Sequence, residues 1–407
     1  MPRVSVVIPV HNGARYISET IDSVLAQTFA DWELLVVDDG STDETRRVLA
    51  RYGPAVRCLA QPNRGPGAAR NAGLRVASGK YIVFLDADDR WRPDFLERAV
   101  ATLDGLDDPF IGVCTGWVAI DAAGALLPHT QTSRSGPLRL DDFVFGNRVL
   151  LQVVLLQRKV VLDVGGFDED IRGMEDWDLW IRLTAARGQL LALDQCLAEY
   201  RMHDASLSHH VDHMRHGRLR TLEKLFARAD LPPPLAALRP AALAWALVLS
   251  AAQMFAAGRS DEALADVCHA AALHPAVLAD RSTHYALICA TQPRAYHGTP
   301  HHVDLPTGER RIREAIAACL AAVREVDPSC GRHAYGTAYA VLGRLAYGQL
   351  RMQTARRYCR AALHADARLW ADRELLATFL KSLAGAPLVR TARQWRAAYR
   401  RARSRRE

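Results

Sequence analysis

Short apolar runs broken by polar turns open the chain. Val4 to Pro9 reads as a buried first strand, with His11-Asn12-Gly13 as the turn after it. Ile17, Ile21, Val24 and Leu25 then recur at helical spacing. Leu34 to Val37 is a second buried run, ending on Asp38, Asp39 and Gly40. Ser41 and Glu44 have the spacing of a capping box, so a helix is expected to start there. Val56 to Ala60 is a candidate third strand, Gly65 to Gly73 opens another helix, and Tyr81 to Leu85 is a further buried strand. Strand and helix alternating at this rhythm predict an α/β domain with a parallel sheet and covering helices.

The pattern changes after about Arg215. Alanine and leucine dominate, strand signals vanish, and Pro232-Pro233-Pro234 marks a break. Gly258, Ala263, Ala270 and Pro275 fall at offsets resembling a degenerate tetratricopeptide repeat, as do Tyr339, Leu342, Gly343, Ala355 and Ala362. Small residues there let paired helices pack closely. The expected division is a catalytic α/β domain over 1–215, an all-α domain over 216–387, and a basic tail over 388–407.

Composition narrows the class. At 407 residues, 49% hydrophobic and 24% charged, the chain reads as a globular protein of more than one domain. Val4 to Pro9 is too short for a signal peptide, and Ala241 to Ala257 is too short and alanine-rich for a membrane span. Eight scattered cysteines without a C-x-x-C pair argue for reduced thiols and a cytoplasmic setting, not a disulfide framework or a zinc site. The last twenty residues hold eight arginines against one glutamate, which is the whole net charge of +7. A neutral body with a basic tail is no groove for nucleic acid.

The strand at Tyr81 ends on Asp86, Asp88 and Asp89. Carboxylates at the carboxyl end of a buried strand sit where ligands bind in open α/β sheets. Asp86 and Asp88 are two apart and lean the same way on an extended backbone, so they repel unless a cation lies between them. A hard divalent ion, Mn²⁺ or Mg²⁺, fits and also accepts phosphate oxygens. Taken alone, the acids read more simply as an acidic turn capping a helix near Pro93. Nucleotide binding is suggested by the strand-turn-helix openings, yet His11-Asn12-Gly13 is neither G-x-G-x-x-G nor a Walker loop. Phosphates would then be held by metal on Asp86 and Asp88, with Arg70 and the Gly65-Pro66-Gly67 turn. Asp39, at its own strand end, could accept from a base or ribose, though alone it reads as a turn residue.

The segments V-S-V-V-I-P-V-H-N-G, L-L-V-V-D-D-G-S-T-D, N-R-G-P-G-A-A-R-N-A-G and Y-I-V-F-L-D-A-D-D occur in that order. G-G-F-D-E-D-I, M-E-D-W-D-L-W-I-R-L and Y-R-M-H follow. Together they resemble a family 2 glycosyltransferase of the GT-A fold, over about the first 210 residues. The resemblance implies a Rossmann-like domain binding a nucleotide sugar, most often a UDP-sugar. Pro9, His11 and Asp39 would line the base and ribose pocket. Asp86 and Asp88 would hold metal and diphosphate, with His203 completing the metal or phosphate site. Asp176, in the Glu175-Asp176 pair, would be the catalytic base of an inverting transfer to a hydroxyl of a glycan, lipid-linked or protein acceptor.

The chemistry asks for the same two groups of acids. A cation stabilises the departing diphosphate, and a carboxylate on the opposite face takes the acceptor's proton. Glu175-Asp176 heads a helix with Leu179, Trp180 and Leu183 at core spacing, where acids also simply favour a helix N-terminus. Trp177 and Trp180 could stack on a sugar, with one of them core. His209, His210, His213 and His216 have ligand spacing but read as a solvated helix face, and His301 and His302 read as loop residues. In the tail, Leu388, Ala392, Trp395, Tyr399 and Ala402 form a stripe flanked by arginines, which could bind an anionic membrane surface or pack on the helical domain. The rival from another class is a nucleotide-binding scaffold that recruits a protein partner through its helical half. Intact Asp39, Asp86, Asp88 and Asp176 argue against it. A nucleotidyltransferase would show a basic glycine-rich loop after the first strand, which is missing.

Overall fold

The computed structural model describes residues 1–131, 135–186, 188–203, 210–293, 299–322 and 328–391. The chain folds as two compact units, Met1–Arg239 and Pro240–Glu407.

The first unit is built on β1 (Val4–Val10), whose seven residues are all buried. β1 pairs in parallel with β2 (Trp32–Asp39) on one side and β4 (Tyr81–Phe84) on the other, and β2 pairs in parallel with β3 (Arg57–Gln61). Helices α1 (Ile17–Leu25), α2 (Thr45–Leu49) and α3 (Pro66–Val76) connect these strands. A strand buried on both faces reads as a continuous apolar run, which is why Val4, Val6, Val7 and Ile8 were legible. The chain leaves β1 toward β2 and β3, then returns to β4 on the far side of β1. That reversal opens a crevice at the carboxyl ends of β1 and β4.

Beyond β4 the sheet is mixed rather than parallel. After β5 (Arg90–Trp91) and α4 (Phe95–Asp104) come β6 (Phe110–Ile120), β7 (Leu126–Gln131) and β8 (Gly136–Leu138). Helix α5 (Leu140–Phe143) then leads to β9 (Val154–Gln157), α6 (Arg158–Asp163), α7 (Glu175–Ala185) and β10 (Gln189–Arg201). The sheet order is β3-β2-β1-β4-β9-β6-β10-β5, with β9 antiparallel to both β4 and β6. β9 enters without the crossover helix that a parallel neighbour needs, so the alternation read from the first hundred residues does not extend to it. The Ser41–Glu44 capping box does not form. Ser41 Oγ instead accepts from the Asn12 amide, and the helix begins at Thr45 without a side-chain cap.

Helix α8 (Val211–Phe226), which the expected boundary at 215 would divide, lies within the first unit. Gly217 lies against Arg172 and Met174, where a Cβ would come within 2.7 Å of the Arg172 carbonyl oxygen, and Lys224 pairs with Asp168 and Asp178. His213 and His216 are exposed on this helix, and His209 lies outside the described residues.

The second unit is helical. Past the short α9 (Pro233–Ala236) it comprises α10 (Arg239–Ala256), α11 (Ser260–Leu273), α12 (Arg281–Ile288), α13 (Leu305–Ala322), α14 (Pro328–Gly348), α15 (Met352–Ala365) and α16 (Arg373–Leu383). α14 and α15 pack closely through small residues, since a Cβ on Gly343 would come 3.0 Å from Cys359 Sγ and 3.6 Å from the Ala355 carbonyl. Among the described residues α10 is the one helix long and apolar enough to cross a membrane, and half of it is buried within the protein, as in a core helix. The eight cysteines are free thiols. Of the aromatic stripe in the tail only Leu388 is described, and it is 66% exposed; residues 392–407 lie outside the described residues.

Candidate active site

Three strand ends, those of β1, β2 and β4, present the polar residues. At the first, the Asp39 carbonyl accepts from His11 Nδ1 at 2.9 Å. A carbonyl can only accept, so Nδ1 carries the proton and Nε2 is left to accept from Asn63 Nδ2 at 3.1 Å. Asn12 sits at a positive φ of 52°, where asparagine is tolerated, and its Oδ1 accepts from the Thr42 and Asp43 amides. The Asp39 carboxylate is buried and accepts from Gln61 Nε2 and from the Arg64 and Gly65 amides at 2.7 to 2.9 Å. Of its roughly four acceptor sites, three are therefore used within the protein. Pro9 is buried in β1 beside Val37.

At the end of β4 the Leu85 amide still bonds to Val7, and the chain then turns through Asp86, Asp88 and Asp89. Arg70, from α3, is 5% exposed; it donates to Asp86 Oδ1 at 2.7 Å and to Glu175 Oε1 at 2.6 Å. Burial disfavours its charge, but the two carboxylates outweigh burial and hold the guanidinium firmly protonated. Asp88 Oδ2 lies 2.8 Å from His203 Nε2. Just before that histidine, Arg201 binds the turn from behind. Its Nε donates to the Asp88 carbonyl, its amide to Asp89 Oδ1, and Nη2 to Glu19, with the guanidinium 4.6 Å over the Tyr16 ring.

Helix α7 supplies the second acid group. It is docked by Gly165 to Ile171. There Asn71 of α3 both donates to the Phe167 carbonyl and accepts from the Phe167 amide. Gly166 has φ of 70° and a Cβ on it would lie 2.5 Å from Asn71 Oδ1, so the turn requires glycine. Glu175 is buried, with Oε2 lacking a hydrogen-bond partner. Asp176 is half-buried; Oδ2 accepts from Asn147 Nδ2 at 2.6 Å and Oδ1 from the Trp177 amide at 2.7 Å. Burial and the neighbouring Glu175 charge push the Asp176 carboxyl up to about 7, against the opposing pull of Arg70 and its hydrogen bonds.

The structure thus brings Asp86, Arg70 and Glu175 into one ion-pair chain, with Asp88 and His203 in contact beside it and Asp176 adjoining Glu175. Pro9, His11 and Asp39 occupy the neighbouring strand ends. Trp177 and Trp180 are 2% and 0% exposed and donate to the Phe143 and Val149 carbonyls, so both are core and neither faces a sugar. Sequence reasoning missed Asn147, Asn71 and Arg201. Asn147 has no periodic signal, lying in a loop 29 residues before its partner. Arg201 and Asn71 stand inside quoted motifs, and an arginine beside a strand-end histidine was the available clue.

For a divalent cation the donor set is hard oxygen and imidazole, as such an ion takes. Burial and repulsion from Asp88 raise Asp86 against the pull of Arg70, and burial with both neighbours raises Asp89 well above the usual range, so crowding these carboxylates is unfavourable without a cation. Among the described residues no three His, Cys, Asp or Glu side chains form a ready coordination set. Asp88 and His203 therefore fit as a partial set that ligand oxygens and water would complete.

The chain's residues 5–155 match the family model described as Glycosyl transferase family 2. An uncharacterized glycosyltransferase of Rickettsia prowazekii is 36% identical over 191 residues, 44% of this chain and 58% of the relative, so the chain spans less than two thirds of that protein. The putative teichuronic acid biosynthesis glycosyltransferase TuaG of Bacillus subtilis is 32% identical over 214 residues, 51% of this chain and 82% of TuaG. The solved structure of an S. aureus TarS fragment in complex with UDP-GlcNAc aligns at a TM-score of 0.49 with 20% identity, covering 86% of this chain and 92% of that one. The chain belongs to glycosyl transferase family 2.

Proposed function

We propose that the chain transfers a sugar from a UDP-sugar to a glycan hydroxyl, with inversion, in bacterial polysaccharide assembly. The observation that carries this reading is the chain Asp86–Arg70–Glu175, which ties the diphosphate end of the site to the head of the base helix. Asp88 and His203 would hold Mn²⁺ or Mg²⁺, which when bound neutralises charge gathering on the departing diphosphate. Asp39, His11 and Pro9 would border the base and ribose. Asp39 has one acceptor position left for such a group. Asp176 removes the acceptor proton onto a carboxylate oxygen. A carboxyl raised to about 7 is a stronger base than an ordinary aspartate and is still largely ionised just above neutrality. Glu175 is paired and buried, so it positions the helix and raises Asp176 rather than meeting the acceptor. One base opposite the leaving group is what single displacement, and hence inversion, requires. TuaG, by its name, serves teichuronic acid biosynthesis, which supports a polysaccharide acceptor.

The test is a panel of UDP-, GDP- and dTDP-sugars, assayed with Mn²⁺ for binding and for slow hydrolysis. A UDP-sugar hydrolysed by the wild type, and still bound but at least about a hundredfold less active in Asp176→Asn, supports the reading. Turnover undiminished in Asp176→Asn would refute it.

A further inference from the structure

On the helical unit, α15 carries Arg356, Arg357 and Arg360 and no acidic residue. Together with Gln353 they line a groove of about 430 Å³. The four positions are spaced by three, one and three residues, which places them on one helical face. Their guanidinium groups are oriented but not neutralised. Arg357 lies 4.6 Å over the Tyr358 ring and touches a carboxylate only at 3.5 Å, that of Glu309, which already accepts from the Tyr358 hydroxyl at 2.7 Å. Arg356 donates a long bond of 3.4 Å to its own helix, at the Met352 carbonyl. Arg360 lies 5.9 Å over Phe379 of α16, with no carboxylate partner among the described residues. Like charges on one face repel and cost stability unless something neutralises them.

We propose that this groove binds a polyanionic glycan, a strand bearing repeated carboxylate or phosphate groups. Planar forks held by aromatic rings are preorganised for bidentate contact with such groups. None of the four lining residues is aromatic or apolar. What these four residues offer a ligand is therefore charge and hydrogen bonds, not base stacking or bilayer burial. Gln353 adds an amide able to bond sugar hydroxyls. The proposal rests on the transferase reading only in taking the strand to be a glycan, and binding is read without turnover, so its failure leaves the transferase reading intact.

The test uses the full chain and labelled oligogalacturonate, followed by fluorescence anisotropy. The triple variant Arg356→Gln, Arg357→Gln, Arg360→Gln is expected to bind about tenfold or more weakly, as loss of charge-assisted bonds implies. An equal-charge control on exposed arginines of the first unit, Arg47→Gln, Arg51→Gln, Arg57→Gln, is expected to stay within about twofold of wild type. Arg357→Lys with Arg360→Lys keeps the charge without the fork and is expected to fall between them. Dextran should not bind, and UDP affinity and melting should match wild type in every variant. Three results would overturn the proposal: no binding by the wild type, equal losses in the groove and control variants, or groove-dependent binding of single-stranded DNA or phosphatidylglycerol vesicles in place of the glycan.

Discussion

At the carboxyl edge of the sheet Asp39 accepts three hydrogen bonds and Arg70 lies between two carboxylates; on α15 three arginines face a groove with one distant carboxylate among them. Both regions concentrate charge. The first fixes its groups with partners 16 to 105 residues away in the chain, and its Arg70 and Glu175 are buried, while the second leaves Arg357 exposed beside Glu309. Chemistry at the anomeric carbon requires groups held to fractions of an ångström, and a buried, paired network supplies that at the cost of desolvating its members. A binding face needs only to stay available.

Asp88→Ala, which removes the His203 contact, should have the largest effect. Transfer should fall by at least about a hundredfold, and excess chelator should do the same to wild type; full activity in chelator would separate the acid pair from any metal. Arg70→Met comes next. It leaves Glu175 buried and uncompensated, and breaking such a pair costs about 3 to 5 kcal/mol, measurable by urea unfolding with transfer lost alongside. An unchanged midpoint would mean the ion-pair chain does not hold the site together. In the helical unit His284 is buried, and burial lowers it to about 4 against the opposing pull of Asp280 and the Leu278 backbone. The folded state disfavours its proton, so the unit should be fully stable above the usual histidine value of about 6.5 and lose stability as pH falls toward 4. His284→Leu should flatten that loss in thermal melts. The smallest effect is packing. A Cβ on Gly73 would lie 2.4 Å from Val7 Cγ1, so Gly73→Ala should cost about 1 to 3 kcal/mol by pushing α3 off β1.

Much of the site was legible because its acids terminate apolar runs. Asp39 ends its buried strand and Asp86 follows one, and Glu175-Asp176 precedes residues at helical core spacing. The mixed half of the sheet was not, because the pairing of β9 with β4 and β6 joins Val154–Gln157 to strands some forty and seventy residues earlier, with no local signature. A separation of 29 residues from Asp176 likewise hid Asn147. Ser41 misled for another reason: its hydroxyl had two uses open to it, and the turn at Asn12 claimed it over the helix cap.

Asp176 acts as the base in this reading, raised to about 7 by burial and Glu175. The pH dependence of kcat/KM for transfer tests it directly, since the base must be ionised to act. The expected profile has an acid limb with a midpoint near 7, rising as Asp176 loses its proton, and no such limb in the residual activity of Asp176→Asn. A profile flat between about pH 5.5 and 8, or the same limb in the variant, would contradict it.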